Sequence, residues 1–405
     1  MTPLIGLIIE GSTLEGGGQL LRNTVALSSL LCKPVTIQHI RYNRRPPGLK
    51  NQHVAGIRLA AEISGAKLTG DKNGSSTITF HPAATGPRLP GFFTADPGTA
   101  GSTALLLQIA LPCLLFPPPS PLSVKPTSST EDPQSPTFSS LTSSLTLRGG
   151  TNASNAPQMD YTANVFFPFL KRHFGLSPRL KIVKRGYYPK GGGEVHVEMD
   201  PVEGPLPAVR LLDRGEIISV QGRAYVAGLP ASLASEIASS ALSTLTQSSP
   251  SLHLDPSLIS ITPLRESPSQ AHGSGSGLIL WATTSTGCRF GASSLGAKGK
   301  GMDVVGREAA EELISALEPR VGGEMSCTDE WLQDQVVLFM ALAEGESVVR
   351  TGELTLHTKT AIWVVEQMTD AKFTIEEEPS GTVLMRCRGI GMTASSRSAS
   401  QSQSA

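Results

Sequence analysis

The feature that most constrains this chain is a rhythm of apolar residues that returns along its length. Leu7-Ile8-Ile9 reads as a short strand entering the glycine-rich turn 11–18, after which Leu20, Leu21, Val25, Ala26, Leu30 and Leu31 recur at helical spacing. Pro34 closes that helix, residues 35–40 alternate as a strand, and Pro47-Gly48 opens a second helix over 49–64 that Gly65 stops. Short strands at 67–69 and 77–80 complete a unit of strand, helix, strand, helix, strand, strand. A related pattern returns at 142–200, with strands 144–147, 180–184 and 194–198 and a helix over 158–174. It returns again at 328–388, with helices 330–342 and 357–368 and strands 347–350, 373–376 and 383–387. A repeated unit with both helices on one side of its sheet specifies an α+β fold: three α/β units, each two helices packed on a four-stranded sheet.

Residues 205–290 break the rhythm, with strands 217–226, 258–261 and 277–284 and a helix over 233–245. They are expected to form a small inserted α/β domain between a first part of the main domain, 1–204, and a C-terminal part, 291–392, with the main fold resuming near Ser293. The segment 117–143 is dense in Pro, Ser and Thr and 393–405 is a Ser/Gln-rich tail; neither composition can bury a core, and both are expected to be disordered.

At 405 residues the chain is too long for one ordinary core. Lys plus Arg equals Asp plus Glu at 34 each, so the chain lacks the basic balance of a bulk nucleic-acid binder, and any such contact has to be a local basic pocket. The five cysteines are scattered without metal-ligand spacing, which fits reduced thiols in a cytosolic or nuclear setting. The first ten residues lack the basic and apolar regions of a signal peptide. The longest apolar stretch, 104–116, is interrupted by Gln108 and Pro112, too short for a bilayer, and reads as a buried helix. No membrane association is expected.

Three segments carry candidate chemistry. Glu15-Gly16-Gly17-Gly18-Gln19, with Arg22 one turn later, sits between strand and helix, where glycines let backbone N–H groups approach an anion and Glu15 offers an oxygen ligand to a metal; a purely structural turn is the alternative. Arg41, Arg44 and Arg45, followed by Gln52 and His53, crowd three guanidinium groups before a helix, matching a terminal phosphate if they are not simply a solvated loop. His357, in Leu354-Thr355-Leu356-His357-Thr358, lies where a strand hands over to a helix. In the preceding helix Trp331, Asp334 and Gln335 share one face at spacings i, i+3 and i+4, an indole beside a carboxylate and an amide, fit to stack on a purine or to serve as core and cap. The sequence has no GxxxxGK[ST] loop, no Lys-x-Asp-Gly and no Gly-x-Ser-x-Gly elbow.

Taken in order, these segments resemble the RNA 3′-terminal phosphate cyclase family, its eukaryotic branch in particular. The resemblance rests on Glu15-Gly16-Gly17-Gly18-Gln19-Leu20-Leu21-Arg22, Pro47-Gly48-Leu49 with Gln52-His53, and Thr99-Ala100-Gly101-Ser102 with Gln108. It continues through Gly149-Gly150-Thr151-Asn152, Ala156-Pro157-Gln158, Arg185–Gly193, Ser285-Thr286-Gly287-Cys288, Leu332-Gln333-Asp334-Gln335 and Leu356-His357-Thr358. It implies a ligase that uses ATP and a divalent metal, Mg²⁺ or Mn²⁺, to turn an RNA 3′-phosphate end into a 2′,3′-cyclic phosphate, with His357 as the nucleophile that carries AMP. By the same resemblance Gln108, Pro157, Trp331, Asp334 and Gln335 line the ATP pocket, with Pro157 and Trp331 around the adenine. Glu15 touches the metal or nucleotide; Arg22, Arg41 and Arg44 hold phosphates, with Gln52 and His53 beside them.

Two departures stand out. Trp331 occupies a position where the family pattern has Tyr, which keeps the stacking face and drops the hydroxyl, and the segment 117–143 is longer than the family carries. The non-catalytic branch of the superfamily, which acts in ribosome assembly, lacks the histidine found here at 357. An enolpyruvyl transferase shares the repeated architecture but has no role for such a histidine. The family implies a nuclear, nucleoplasmic location, with the cytoplasm as alternative, and admits a homodimer.

Overall fold

The computed structural model describes residues 6–117, 141–247, 252, 254–318 and 323–394. Most of the Ser/Pro-rich segment (118–140) and most of the tail (395–405) lie outside the described residues.

The first unit follows its apolar pattern. Strand β1 (Leu7–Glu10), helix α1 (Gly18–Leu31), strand β2 (Val35–Gln38), helix α2 (Asn51–Ser64), and strands β3 (Lys67–Thr69) and β4 (Ile78–His81) build a sheet in the order β1-β2-β4-β3. β1 and β2 are parallel, and β4 runs antiparallel to both of its neighbours. α1 ends where Cys32 takes a left-handed conformation (φ 53°), two residues before Pro34.

The same order governs the second unit. Strand β5 (Phe92–Ala95), helix α3 (Thr103–Ala110), strand β6 (Ser143–Gly149), helices α4 (Met159–Tyr161) and α5 (Phe167–Phe174), joined by a π-helical turn at Thr162–Phe166, and strands β7 (Arg179–Gly186) and β8 (Gly193–Met199) give β5-β6-β8-β7. Here β5 and α3 extend the unit upstream of the residue-142 start expected from sequence. The apolar stretch 104–116 is buried as expected but breaks at Pro112 into α3 and a 3₁₀ turn (Pro112–Leu114), because proline lacks the amide that would continue the helix. Among the described residues no helix is long and apolar enough to cross a membrane.

A two-residue strand, β9 (Arg210–Leu211), precedes a fourth sheet made of strands β10 (Ile217–Ala227), helix α6 (Ser232–Thr246), strands β11 (Ile259–Glu266), β12 (Ala271–His272), β13 (Gly275–Thr284) and β14 (Arg289–Leu295), and helix α7 (Met302–Leu317). Its order is β11-β10-β13-β14, with α6 and α7 packed together on it, while β12 leaves it to pair with β7 of the second sheet. Sheet membership therefore runs to Leu295 and helix packing to Leu317, past the boundary near 290 read from sequence, because β14 pairs with β13 along seven residues.

Helix α8 (Glu330–Leu342), strand β15 (Glu346–Thr351), helix α9 (Leu356–Met368) and strands β16 (Lys372–Glu377) and β17 (Val383–Arg388) finish the chain. β9 pairs in parallel with β15, giving β9-β15-β17-β16, the strand order of the other two sheets. The fold is α+β, and the fourth sheet lies in sequence between the first strand and first helix of the last unit.

The units meet through their helices. α1 packs on α9 and on α3, and Phe339 of α8 sits edge-on to Phe166 at 5.9 Å. Asp329 locks the junction: as N-cap of α8 it accepts the Leu332 N–H at 2.7 Å, and it also takes the Gly291 N–H of β14 and the Tyr161 hydroxyl of α4, each at 2.7 Å. Asp329→Ala would lose the cap and strand two buried donors, which predicts a loss of roughly 3 kcal/mol of stability. Chemical denaturation monitored by fluorescence checks this, and a midpoint unchanged from wild type would contradict it.

Candidate active site

A cavity of about 250 Å³ opens among the first turns of α1, α3, α8 and α9, lined by Arg22, Leu105, Gln108, Asn155, Pro157, Glu330, Trp331, Asp334, Thr355 and His357. Six residues singled out from sequence therefore share one space: Arg22, Gln108, Pro157, Trp331, Asp334 and His357. Helix starts carry unpaired N–H groups and the positive end of the helix dipole, so the cavity favours an anion before any side chain is counted. α1 strengthens that bias, because its N-cap is Gly17 and no side chain caps it.

Side chains of the site stand against the glycine turn ahead of α1, and Gly16 within it takes φ 57°, a conformation that favours glycine. A Cβ on Gly17 would lie 2.0 Å from Oε1 of Glu15, and one on Gly18 would lie 2.9 Å from Nη1 of Arg22 and 3.0 Å from Nε2 of His53. Glu15 Oε1 accepts from Nη2 of Arg44 at 2.8 Å, whereas Glu15 Oε2 is buried with no hydrogen-bond partner. The Glu15 N–H donates to the Thr360 hydroxyl at 3.2 Å, tying the turn to the helix that bears His357.

His357 is the second residue of α9, an exposed position beside the cavity. Its imidazole pKa lies below the ordinary value because of desolvation; Glu15 pulls it back up, and Arg22 and Arg44 push it further down. The ring is therefore neutral near pH 7, with a free lone pair. Arg22 is half-buried, donates to Gln19 Oε1 and keeps its Nε buried without a partner. Burial lowers its pKa, opposed by Asp334 and Glu15. Asp334 is half-buried as well; desolvation raises its carboxyl to about 7 against the pull of Arg22.

Trp331 is held edge-on, its Nε1 donating to Glu312 Oε1 of α7 at 3.0 Å. Gln335 does not line the main cavity. It lines an adjoining space of about 30 Å³ with Gln108 and Asp334, and its Nε2 donates to the Trp331 carbonyl at 2.5 Å. His53 accepts the Lys50 N–H on Nδ1 at 3.1 Å, which leaves the proton of the neutral ring on Nε2, on the Gly18 side. Burial first, then Arg22, Arg41 and Lys50, lower its pKa to about 3.

The remaining two are turned toward backbone. Arg41, at φ 50°, donates from Nη1 to the carbonyls of Pro46 (2.9 Å) and Gly48 (3.1 Å), bracing the loop that carries Arg44. Gln52 Oε1 accepts the Ser102 N–H at 2.8 Å and so joins α2 to the start of α3. Among the described residues no group of three or more His, Cys, Asp or Glu side chains is placed to hold a metal ion. Sequence reading passed over Asn155 and Glu312. Asn155 was findable as a small polar residue between the quoted Asn152 and Pro157, and it adopts φ 58°. Glu312 carries no local signal, since it belongs to another sheet's helix.

Comparison with known proteins adds a second line of support. A family model described as RNA 3′-terminal phosphate cyclase matches residues 13–375. A probable RNA 3′-terminal phosphate cyclase of Dictyostelium discoideum is 38% identical over 94% of this chain and 82% of its own length. The RNA 3′-terminal phosphate cyclase of Drosophila melanogaster is 38% identical over 95% of this chain and 97% of its own, and that of Pyrobaculum aerophilum 36% over 95% and 98%.

The raised carboxyl of Asp334 has a consequence for stability. Its folded pKa of about 7 exceeds its ordinary 3.8, so between those values the native state binds the extra proton and loses stability as pH rises. Asp334→Asn does not titrate. Its melting temperature relative to wild type should therefore climb from about pH 4 to about pH 7, whatever its constant offset. A difference that stays flat across that window in calorimetry would contradict the assignment.

Proposed function

This chain belongs to the RNA 3′-terminal phosphate cyclase family, and on that premise we propose that it uses ATP to close an RNA 3′-phosphate into a 2′,3′-cyclic phosphate, with AMP carried on His357. The observation that carries the reading is the cavity itself: a neutral imidazole at a helix start, shared with an indole face, a proline, a half-buried carboxyl and a half-buried guanidinium.

The chemistry runs in three displacements. An imidazole nitrogen of His357 attacks the α-phosphorus of ATP, a nitrogen–phosphorus bond forms, the bridge to the β-phosphate breaks, and pyrophosphate leaves. An oxygen of the RNA 3′-phosphate then attacks the same phosphorus, freeing the imidazole and forming an RNA(3′)pp(5′)A anhydride. The vicinal 2′-hydroxyl finally attacks the RNA phosphorus; its proton passes to solvent or base, the ring closes and AMP departs. Each step collects negative charge on phosphoryl oxygens, which the helix starts and the fixed charge of Arg22 stabilise without reorganising.

Within the pocket Trp331 and Pro157 present apolar faces to a purine, and the Glu312 contact fixes the tilt of the indole. Arg44 is exposed, paired with Glu15 and near enough to act electrostatically on His357, which makes it the guanidinium we assign to the RNA end. Glu15 fits a divalent cation, Mg²⁺ or Mn²⁺, in one respect: its buried Oε2 has no hydrogen-bond partner and would serve as one oxygen ligand. Such a cation, when bound, supplies charge neutralisation to the phosphates.

The test uses two oligoribonucleotides with 3′-phosphate ends, one with an ordinary terminal ribose and one with a terminal 2′-deoxyribose. With ATP and Mg²⁺ the first should become resistant to phosphatase through a cyclic end, and the second should stop at the adenylylated anhydride. Ends that stay phosphatase-sensitive, or that cyclise equally well without ATP, would overturn the proposal.

A further inference from the structure

No hydrogen bond holds the His357 side chain among the described residues, so where its ring stands depends strongly on the backbone that carries it. That backbone is held by Gln333, a residue of α8 that does not line the cavity and is only 1% exposed. Its Oε1 accepts the Thr355 N–H at 2.9 Å and the Thr358 hydroxyl at 2.6 Å. Its Nε2 donates to the Thr351 hydroxyl at 2.8 Å and to the carbonyls of Glu353 at 3.2 Å and Gly352 at 3.3 Å. The amide has one workable orientation, because the opposite one would set its N–H groups against the Thr355 N–H.

The proton count closes around this clamp. Thr355 is the N-cap of α9, and its Oγ1 accepts the Thr358 N–H at 3.1 Å. The hydroxyls of Thr355 and Thr358 are 2.9 Å apart. Gln333 Oε1 can only accept, so Thr358 gives its proton there and Thr355 gives its own to Thr358. His357 lies between these two threonines in sequence, with Gln333 fastened on both sides of it.

We propose that Gln333 is a positioning residue for the nucleophile: by clamping residues 351–358 it sets the imidazole of His357 for attack on the α-phosphorus of ATP. The inference rests on the reading of His357 given above. Attack depends steeply on placement, and a displacement of about 1 Å costs roughly 100-fold in rate. Closure of a preformed RNA(3′)pp(5′)A end needs the RNA's own 2′-hydroxyl and does not need the histidine as nucleophile. Loss of the clamp should therefore slow the first displacement and spare the last.

The experiment compares wild type, Gln333→Met, Thr358→Val and His357→Ala in two assays: transfer of label from α-labelled ATP to protein over a range of ATP concentrations, and cyclisation of preformed RNA(3′)pp(5′)A. Gln333→Met, similar in volume but without the amide, should label roughly 100-fold more slowly at saturating ATP. Its half-saturating ATP concentration and its cyclisation rate should match wild type, and Thr358→Val should show the same split more weakly. Labelling of Gln333→Met at the wild-type rate would overturn the proposal, as would a joint fall of labelling, ATP affinity and cyclisation. If Gln333→Met does not fold, the presence or absence of the split in Thr358→Val decides. Label on His357→Ala equal to wild type would instead defeat the underlying reading of the nucleophile.

Discussion

Four helix starts converge on one cavity, and the rest of the site depends on that convergence. α1, α3, α8 and α9 each contribute a residue from their first two turns: Arg22, Gln108, Asp334 and His357. These helices come from three different sheets that share one strand order. Because each helix follows a strand in the same sense, its N-terminus emerges at the same end of its unit, and packing α1 on α9 brings those ends together. A polyanionic substrate then meets several dipole ends and unpaired N–H groups in one place. The neutral overall charge of the chain is no obstacle, since the attraction is local.

The fourth sheet is tied into this arrangement by single contacts of high consequence. Glu312 from α7 holds the Trp331 indole, and Gly291 from β14 donates to Asp329 at the start of α8. A further latch lies three residues past Pro157, where Asp160 makes a bidentate pair with Arg185 (2.6 and 2.9 Å), which in turn reaches Glu266 of β11 at 2.6 Å. Such buried charges are costly to separate once paired.

Helices α1, α2, α3, α8 and α9 were legible in the sequence because they have an apolar face and a punctuated end: Pro34 and Gly65 follow α1 and α2, and Ser102, Asp329 and Thr355 cap α3, α8 and α9. Helix α7, whose N-cap Gly301 offers no side chain, was not read, and the helix read over 158–174 is broken by the π-helical turn between α4 and α5. β9 was not legible. Two residues carry no periodicity, and its partner in β15 lies 138 residues further on by the pairing Arg210↔Val348. The reach of the fourth sheet past residue 290 was hidden for a related reason, since β14 is rich in Gly, Ala and Ser and lacks the usual β-branched signal. In the site, residue types pointed to Arg22, Trp331, Asp334 and His357, which share one cavity. The same reasoning treated Arg41 and Gln52 alike with Arg44, whereas their polar atoms face backbone groups of neighbouring turns. A guanidinium's partners depend on loop closure, and loop closure is not written in the residue type.

The central claim is that His357 itself bears the AMP. The protein should be incubated with ATP and Mg²⁺, digested at alkaline pH where a phosphoramidate survives, and its AMP-bearing peptide sequenced by mass spectrometry. The account predicts the adduct on the imidazole of His357. An adduct on a lysine, on His53 or on any other side chain, with residue 357 unmodified, would contradict it.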